Sequence, residues 1–180
     1  PQISDHPVEL YQRIVRGWRH GFDEQTVKLV RRIYFAMIAE VDEMVGTVLS
    51  TLNELGQTDN TVVVFSSDHG EIAMEHRQFY KMSMYEGSSR VPLIINGPGI
   101  AKGVMADELV SLIDLYPTFV ELTGATGHPN RDGRSILPRA AGGAADTRDW
   151  VLSEFHGTTA LASMFMLRTG EWKYIAYPGY

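Results

Sequence analysis

The chain has 180 residues, 44% hydrophobic and 21% charged, with a formal net charge of −6. That composition supports one domain-sized core and excludes a disordered chain. The acidic balance argues against a general nucleic-acid binder, and no apolar run is long enough to span a membrane. There is no cysteine and no Asn-x-Ser/Thr sequon, so disulfides, thiol chemistry and N-linked sugars give no hint of compartment.

Residues 1–22 read as a loop through Asp5, His6 and Pro7 and then a short helix carrying Tyr11, Ile14, Val15 and Trp18. Residue 1 is Pro and no signal peptide precedes it, which reads as an interior piece of a longer polypeptide. The clearest helical period covers 24–55. Val27, Val30, Tyr34, Met37, Val41, Val45, Val48 and Leu52 recur at three- and four-residue steps, with Ile33, Ile38 and Leu49 widening the stripe. Asp23 suits the N-cap and Gly56 the residue after the helix. Glu40, Asp42 and Glu43 read as a solvated helix face rather than as acid/base groups.

After a polar turn at 57–60, residues 62–65 form a short run of mostly β-branched residues. The run predicts a strand buried on both faces, as in a parallel sheet, and helix then strand is the second half of a βαβ unit. Ser66, Ser67, Asp68, His69, Gly70 and Glu71 follow at once. Chemistry in open α/β sheets collects past the carboxyl ends of strands. Asp68 and His69 stand there, on a turn that Gly70 permits. A carboxylate beside an imidazole makes half of a metal site. Oxygen ligands favour calcium or magnesium, and the imidazole extends the choice to manganese or zinc.

Residues 72–84 read as a loop or broken helix over the strand end, carrying His76 and Lys81. A second strand is expected at 91–95, closed by Asn96-Gly97-Pro98-Gly99. A third is expected at 109–113. Asp114 then reads as the N-cap of a helix that contains Pro117 and stops at Gly124, in preference to a metal ligand. Residues 124–147 read as a long surface connection. From Trp150 the period turns to two. Strands at 150–155 and 164–168, a turn at 169–171 and a return at 172–177 make a small antiparallel unit. His156 follows the first of these strands.

The run Ser67-Asp68-His69-Gly70-Glu71, the lysine thirteen residues after Asp68, the stretch Tyr85-Glu86-Gly87-Ser88-Ser89-Arg90-Val91-Pro92 and the later Gly97-Pro98-Gly99 together resemble the sulfatase branch of the alkaline phosphatase superfamily. Gly133-Arg134-Ser135-Ile136-Leu137-Pro138 is similar to a recurring sulfatase segment. The resemblance implies an α/β fold: part of a large, mostly parallel sheet flanked by helices, with the start of a small C-terminal antiparallel subdomain. It divides the chain into residues 1–147, the later part of the catalytic domain, and 148–180, the beginning of that subdomain.

The resemblance also implies a sulfuric ester hydrolase acting on a sulfated sugar, with 2-sulfated glucuronate of glycosaminoglycans as a substrate, in a lysosomal or secreted setting. Asp68 and His69 would hold calcium, with manganese, magnesium or zinc as lesser alternatives. Lys81 would bind the sulfate, because a sulfate ester needs a fixed cation near its oxygens. His76 is a candidate acid or sugar contact, and Arg90 and His156 are candidate substrate contacts. Each of these last three has a structural alternative: holding the loop for His76, pairing with an acidic neighbour for Arg90, and a satisfied structural histidine for His156. His6 reads as structural or solvated. The formylglycine nucleophile of sulfatases arises in a Cys/Ser-x-Pro/Ala-x-Arg motif. That motif is absent here, so the nucleophile is expected in a preceding N-terminal half. Two rival readings are a phosphodiesterase or phosphonate hydrolase of the same superfamily, and a non-catalytic fragment that binds sulfated glycans.

Overall fold

The longest element is a 31-residue helix, α2 (Glu24–Glu54), opened by Asp23, whose carboxylate accepts from the Thr26 backbone N–H at 2.8 Å and the Thr26 hydroxyl at 2.7 Å. Its expected cap and its bounds agree with the helical period. Gly56 follows with φ +64°, the left-handed geometry that ends helices. The computed structural model of the protein describes residues 6–144, 148–157 and 160–180. Asp5 lies outside the described residues, as do residues 145–147, against which the expected domain boundary falls.

Before α2 comes α1 (Pro7–Val15), with Pro7 in the first turn and His6 Nδ1 accepting from the Val8 N–H at 3.4 Å. Unlike α2, this helix buries its contact face completely: Val8 is 0% exposed and Glu9, Gln12 and Arg13 are all buried. By contrast no residue of α2 is fully buried, and Ile33, Met37, Val41, Met44 and Val48 are all exposed.

β1 (Val63–Ser66) corresponds to the expected first strand and β2 (Leu93–Asn96) to the second. Their pairing differs from the expectation. The strands are antiparallel, with Ser66 opposite Leu93 and Val63 opposite Asn96, and β1 is half-buried rather than enclosed. The chain between them turns back on itself, so the strand that returns lies beside the one that left. β2 alternates half-buried and exposed residues, which is the pattern of a strand with one face covered.

Between β1 and β2 lies the short α3 (Glu86–Ser89). The expected third strand at 109–113 is not formed. That segment ends in a 3-10 turn at Leu112–Asp114, because Ser111 and Asp114 close a reciprocal capping box. Asp114 therefore caps Ser111 rather than the first turn of α4 (Leu115–Thr123). Its buried carboxylate also accepts from the Arg134 N–H at 2.8 Å and pairs with Arg148 at 2.5 Å. The stretch expected as a plain surface connection contains one helical turn, α5 (Leu137–Ala140). Upstream of it, Gly133 lets the chain press on the 3-10 turn, since a Cβ there would stand 2.1 Å from the Ile113 carbonyl oxygen.

The second sheet holds β3 (Trp150–Phe155), β4 (Met164–Thr169) and β5 (Lys173–Ala176), all antiparallel and in that order, as the period of two predicts. One face of this sheet makes the core. Met164 and Met166 pack with Val8 of α1 and with Met84, and Phe155, Ile175 and Tyr177 close around them. Burying each such side chain contributes roughly 1.5–3 kcal/mol. The core thus welds α1 and the end of the 67–84 loop to the C-terminal sheet.

Candidate active site

β1 delivers the chain to a turn at Ser67–Gly70. The Ser67 hydroxyl donates to the His69 carbonyl oxygen at 2.7 Å, and the His69 backbone N–H donates to Asp68 Oδ1 at 3.0 Å. These bonds fix the turn that carries the Asp68 and His69 side chains. His69 Nδ1 lies 2.9 Å from the Gly70 carbonyl oxygen, which can only accept, so Nδ1 carries the proton. Nε2 is then the ring nitrogen left to face the other two side chains. That atom is 3.3 Å from Asp68 Oδ2, and the Lys81 ammonium also contacts it.

Asp68, His69 and Lys81 therefore converge on one point beyond the carboxyl end of β1. Partial desolvation pushes the Asp68 carboxyl up. The His69 N–H and the charges of His69 and Lys81 outweigh that push and hold it below its usual value. The Asp68 side chain is 83% exposed, so the carboxylate is ionised and open to a ligand.

The donor set fits a divalent cation in part. A histidine whose Nδ1–H is committed to a backbone carbonyl has the tautomer and orientation that metal-ligating histidines adopt. With Asp68 Oδ2 beside it, the pair fits one edge of a cation site. It supplies two donors, and among the described residues no three His, Cys, Asp or Glu side chains form a cluster able to hold a metal. A calcium ion takes six to eight oxygen ligands, so these two donors alone do not make a calcium site.

Gly70 has a role other than the expected one. Its backbone is not left-handed. Its N–H donates to the Ser88 carbonyl oxygen at 2.8 Å, and a Cβ would stand 2.0 Å from the Gly87 carbonyl oxygen. The glycine allows α3 to press against the turn. The Ser88 hydroxyl then donates to the Lys81 carbonyl oxygen at 2.6 Å, so one short helix grips the backbone on both sides of the site.

Between them, residues 72–80 form a loop closed by Glu71, whose Oε1 accepts from the Ala73 N–H at 3.0 Å and the Tyr80 N–H at 2.7 Å. Ala73, Met74, His76, Arg77 and Tyr80 all have positive φ. Such strain in non-glycine residues persists only where surrounding contacts enforce it, and it gathers at functional sites. α2 backs the loop through Arg31, which donates to the Ala73 carbonyl oxygen at 3.0 Å.

The other candidates are placed differently. His76 lies on this loop with its ring stacked flat on Tyr85, centroids 3.8 Å apart, and its Nδ1 is buried with no hydrogen-bond partner among the described residues. The Arg90 side chain is 81% exposed and reaches Glu86 at 3.8 Å. His156 uses both ring nitrogens, on Ser163 and on Glu154, each at 2.9 Å. His6 stacks on Tyr177 at 4.2 Å. Two open surface depressions, one along α2 from Asp23 to Arg32 and one beside Tyr177, contain none of Asp68, His69 and Lys81. The convergent trio stands on an open surface rather than in either of them.

Reading the sequence alone missed Glu71, Ser88, Tyr85 and Glu9. Glu71 and Ser88 were visible within the motif stretch, but their bonds are to backbone groups, which no residue pattern announces.

Comparison with known proteins gives a consistent result. Residues 2–125 match the sulfatase family, and residues 74–179 match the C-terminal region of N-sulphoglucosamine sulphohydrolase. The chain is 46% identical to arylsulfatase K of Rattus norvegicus over 179 residues, which is 96% of this chain and 32% of the relative. It thus spans about a third of the length of the curated relatives it matches. Among solved structures, the chain is similar to a phosphonate monoester hydrolase from Silicibacter pomeroyi, with TM-score 0.80, 29% identity and coverage of 86% of this chain and 34% of that one. It is also similar to a 2-O GAG sulfatase, with TM-score 0.76, 27% identity and coverage of 99% and 43%.

Proposed function

The chain belongs to the sulfatase family and shares its α/β, alkaline-phosphatase-like fold, and from that premise we propose that it supplies the metal edge and the sulfate-binding lysine of a sulfuric ester hydrolase acting on a sulfated sugar. The observation that carries the reading is the convergence of Asp68, His69 and Lys81 past the end of β1. In this reading residues 1–147 belong to the catalytic domain and 148–180 begin a C-terminal subdomain. The name of one solved relative, a 2-O GAG sulfatase, supports a glycan substrate, and a 2-sulfated uronate in a glycosaminoglycan is the specific one we propose.

Asp68 and His69 would hold a divalent cation, calcium by family habit. Bound there, it would supply positive charge to the sulfate oxygens. The chain's own residues do the rest. Asp68 keeps its carboxylate ionised for that role, because backbone and charge contacts hold its pKa down. The His69 N–H bond to Asp68 keeps the two ligands in register. Lys81 places a point charge where the sulfate oxygens and the departing alkoxide gain negative charge. His76, on the same loop, contacts the sugar or gives a proton to the leaving alkoxide oxygen, which departs as the alcohol. Arg90 and His156 are the outer candidates for substrate contact.

The nucleophile, a formylglycine in this reading, belongs to the part of the longer protein that this chain does not contain. That part also completes the cation's ligands and covers the apolar face of α2. The compartment that goes with the reading is lysosomal or secreted. No helix among the described residues is long and apolar enough to cross a membrane.

The likeness to a phosphonate monoester hydrolase favours a second reading, phosphonate or phosphodiester hydrolysis. The test is a substrate panel on the complete protein: an aryl sulfate, a 2-sulfated glucuronate disaccharide, an aryl phosphonate and a phosphodiester. Turnover highest on the sulfated disaccharide supports the proposal. Turnover confined to the phosphorus esters replaces it with the second reading.

A further inference from the structure

Glu9 lies on α1, 72 positions before Lys81 in the sequence. It is 4% exposed, yet it carries a carboxylate into the core. Both of its oxygens are committed: Oε2 accepts from the Tyr85 hydroxyl at 2.6 Å and Oε1 from the Tyr177 hydroxyl at 2.8 Å. A buried carboxylate needs such donors, and phenol bonds to it are short and charge-assisted. Burial first, and then Glu9 itself, push the Tyr177 phenol well above its usual pKa, so it remains a donor.

The two tyrosines lead in different directions. Tyr177 follows β5 in the C-terminal sheet and stacks on His6. Tyr85 belongs to the site. Its ring lies flat against His76, and it opens α3, whose Ser88 holds the Lys81 carbonyl oxygen at 2.6 Å. A second strut runs from the same sheet to the same segment. Lys173 of β5 donates to the Met84 carbonyl oxygen at 2.8 Å and to Ser89 Oγ at 2.9 Å, and it pairs with Glu86 at 2.5 Å. The loop that these contacts restrain carries five non-glycine residues at positive φ, a geometry that needs outside enforcement.

Resting on the sulfatase reading above, we propose that Glu9 is a positioning residue: through Tyr85 it locks the strained 72–90 segment against the C-terminal sheet and so sets Lys81 and His76 for the reaction. Glu9 is not a catalytic residue, since both its oxygens are spent inside the core. The span from α1 to β5 makes the site dependent on an element far from it in sequence.

The test uses the complete protein with three variants: Glu9→Leu, which leaves no acceptor, Tyr85→Phe and the double variant. Tyr85→Phe removes the hydroxyl and keeps the ring that stacks on His76. Kinetics on a sulfated sugar are read beside amide hydrogen exchange. Each single variant is expected to lower kcat by about tenfold to a hundredfold, the scale of a small misplacement of catalytic groups, with KM little changed. The double variant should be no worse than the poorer single one, because both break the same link. Exchange should quicken across 72–90 while β3 and β4 keep their protection. An unchanged kcat per folded molecule overturns the proposal, whether or not the loop loosens, and so does additivity of the two substitutions. Exchange that quickens uniformly also overturns it, since that marks a general loss of fold. If the unaltered protein hydrolyses no sulfate ester at all, it is the sulfatase reading that fails, and the exchange comparison still decides whether Glu9 holds the loop.

Discussion

The site loop and helix α2 treat their surroundings in opposite ways. Residues 67–90 are short of regular structure but dense in bonds: Glu71 closes the loop, α3 grips the turn and Lys81, and Glu9 and Lys173 tie the far end. α2 is regular along all 31 residues, about 46 Å at 1.5 Å per residue, yet it buries none of them fully. Its apolar row from Ile33 to Val48 faces outward. The loop's geometry is fixed by contacts inside the chain. The helix has an apolar stripe far larger than its contacts inside the chain use, which is the mark of a surface meant to be covered.

The largest expected effect lies in the loop. Lys81→Ala in the complete protein should lower kcat by about a hundredfold or more, comparable to losing one oxyanion-stabilising donor. Lys81→Arg should also be poor, because a planar fork replaces a point charge. Near-normal kinetics of Lys81→Ala would make this lysine a surface residue and dissolve the contrast between the two regions.

The second effect lies in α2. Val41→Asp in the complete protein should cost about 2 kcal/mol or more in unfolding free energy, the range for a charge forced into a buried apolar site. In the isolated 180-residue chain the same change should cost almost nothing and should reduce aggregation. Equal, small effects in both would show that the helix face is solvated in the whole molecule.

A third, smaller effect sharpens the contact between turn and α3. A methyl group at Gly70 would meet the Gly87 carbonyl oxygen at 2.0 Å, and backbone cannot yield cheaply. Gly70→Ala should cost about 1–3 kcal/mol, the range for forcing extra volume into a packed site. A thermal melt measures it, and an unchanged midpoint would mean that α3 does not press on the turn.

Much of this was legible in the residues. The period of α2, its Asp23 cap, the C-terminal hairpin strands and the Asp68–His69 pair at a strand end all follow local rules, and local rules are what a sequence states openly. The pairing of β1 with β2 was not legible. A β-branched run shows that a strand is covered, but its burial here is set by which strand returns beside it. Leu109 and Val110 had strand-like composition, and the capping box of Ser111 with Asp114 overrode it. Glu9 was hidden for a different reason. Its partners Tyr85 and Tyr177 lie 76 and 168 positions away, and a lone Glu in an amphipathic helix carries no sign of them. His69 shows the middle case: its place at a strand end beside Asp68 was readable, and the bond that turns its ring, to the Gly70 carbonyl, was not.

The central claim is that Asp68 and His69 hold the cation while Lys81 serves the sulfate, and metal analysis of two variants of the complete protein tests it most directly. Asp68→Ala and Lys81→Ala are purified, their bound divalent metal is measured per chain, and each is titrated with calcium. The account predicts that Asp68→Ala loses metal and turnover together, whereas Lys81→Ala loses turnover and keeps its metal. Full metal occupancy in Asp68→Ala, or loss of metal in Lys81→Ala alone, would contradict it.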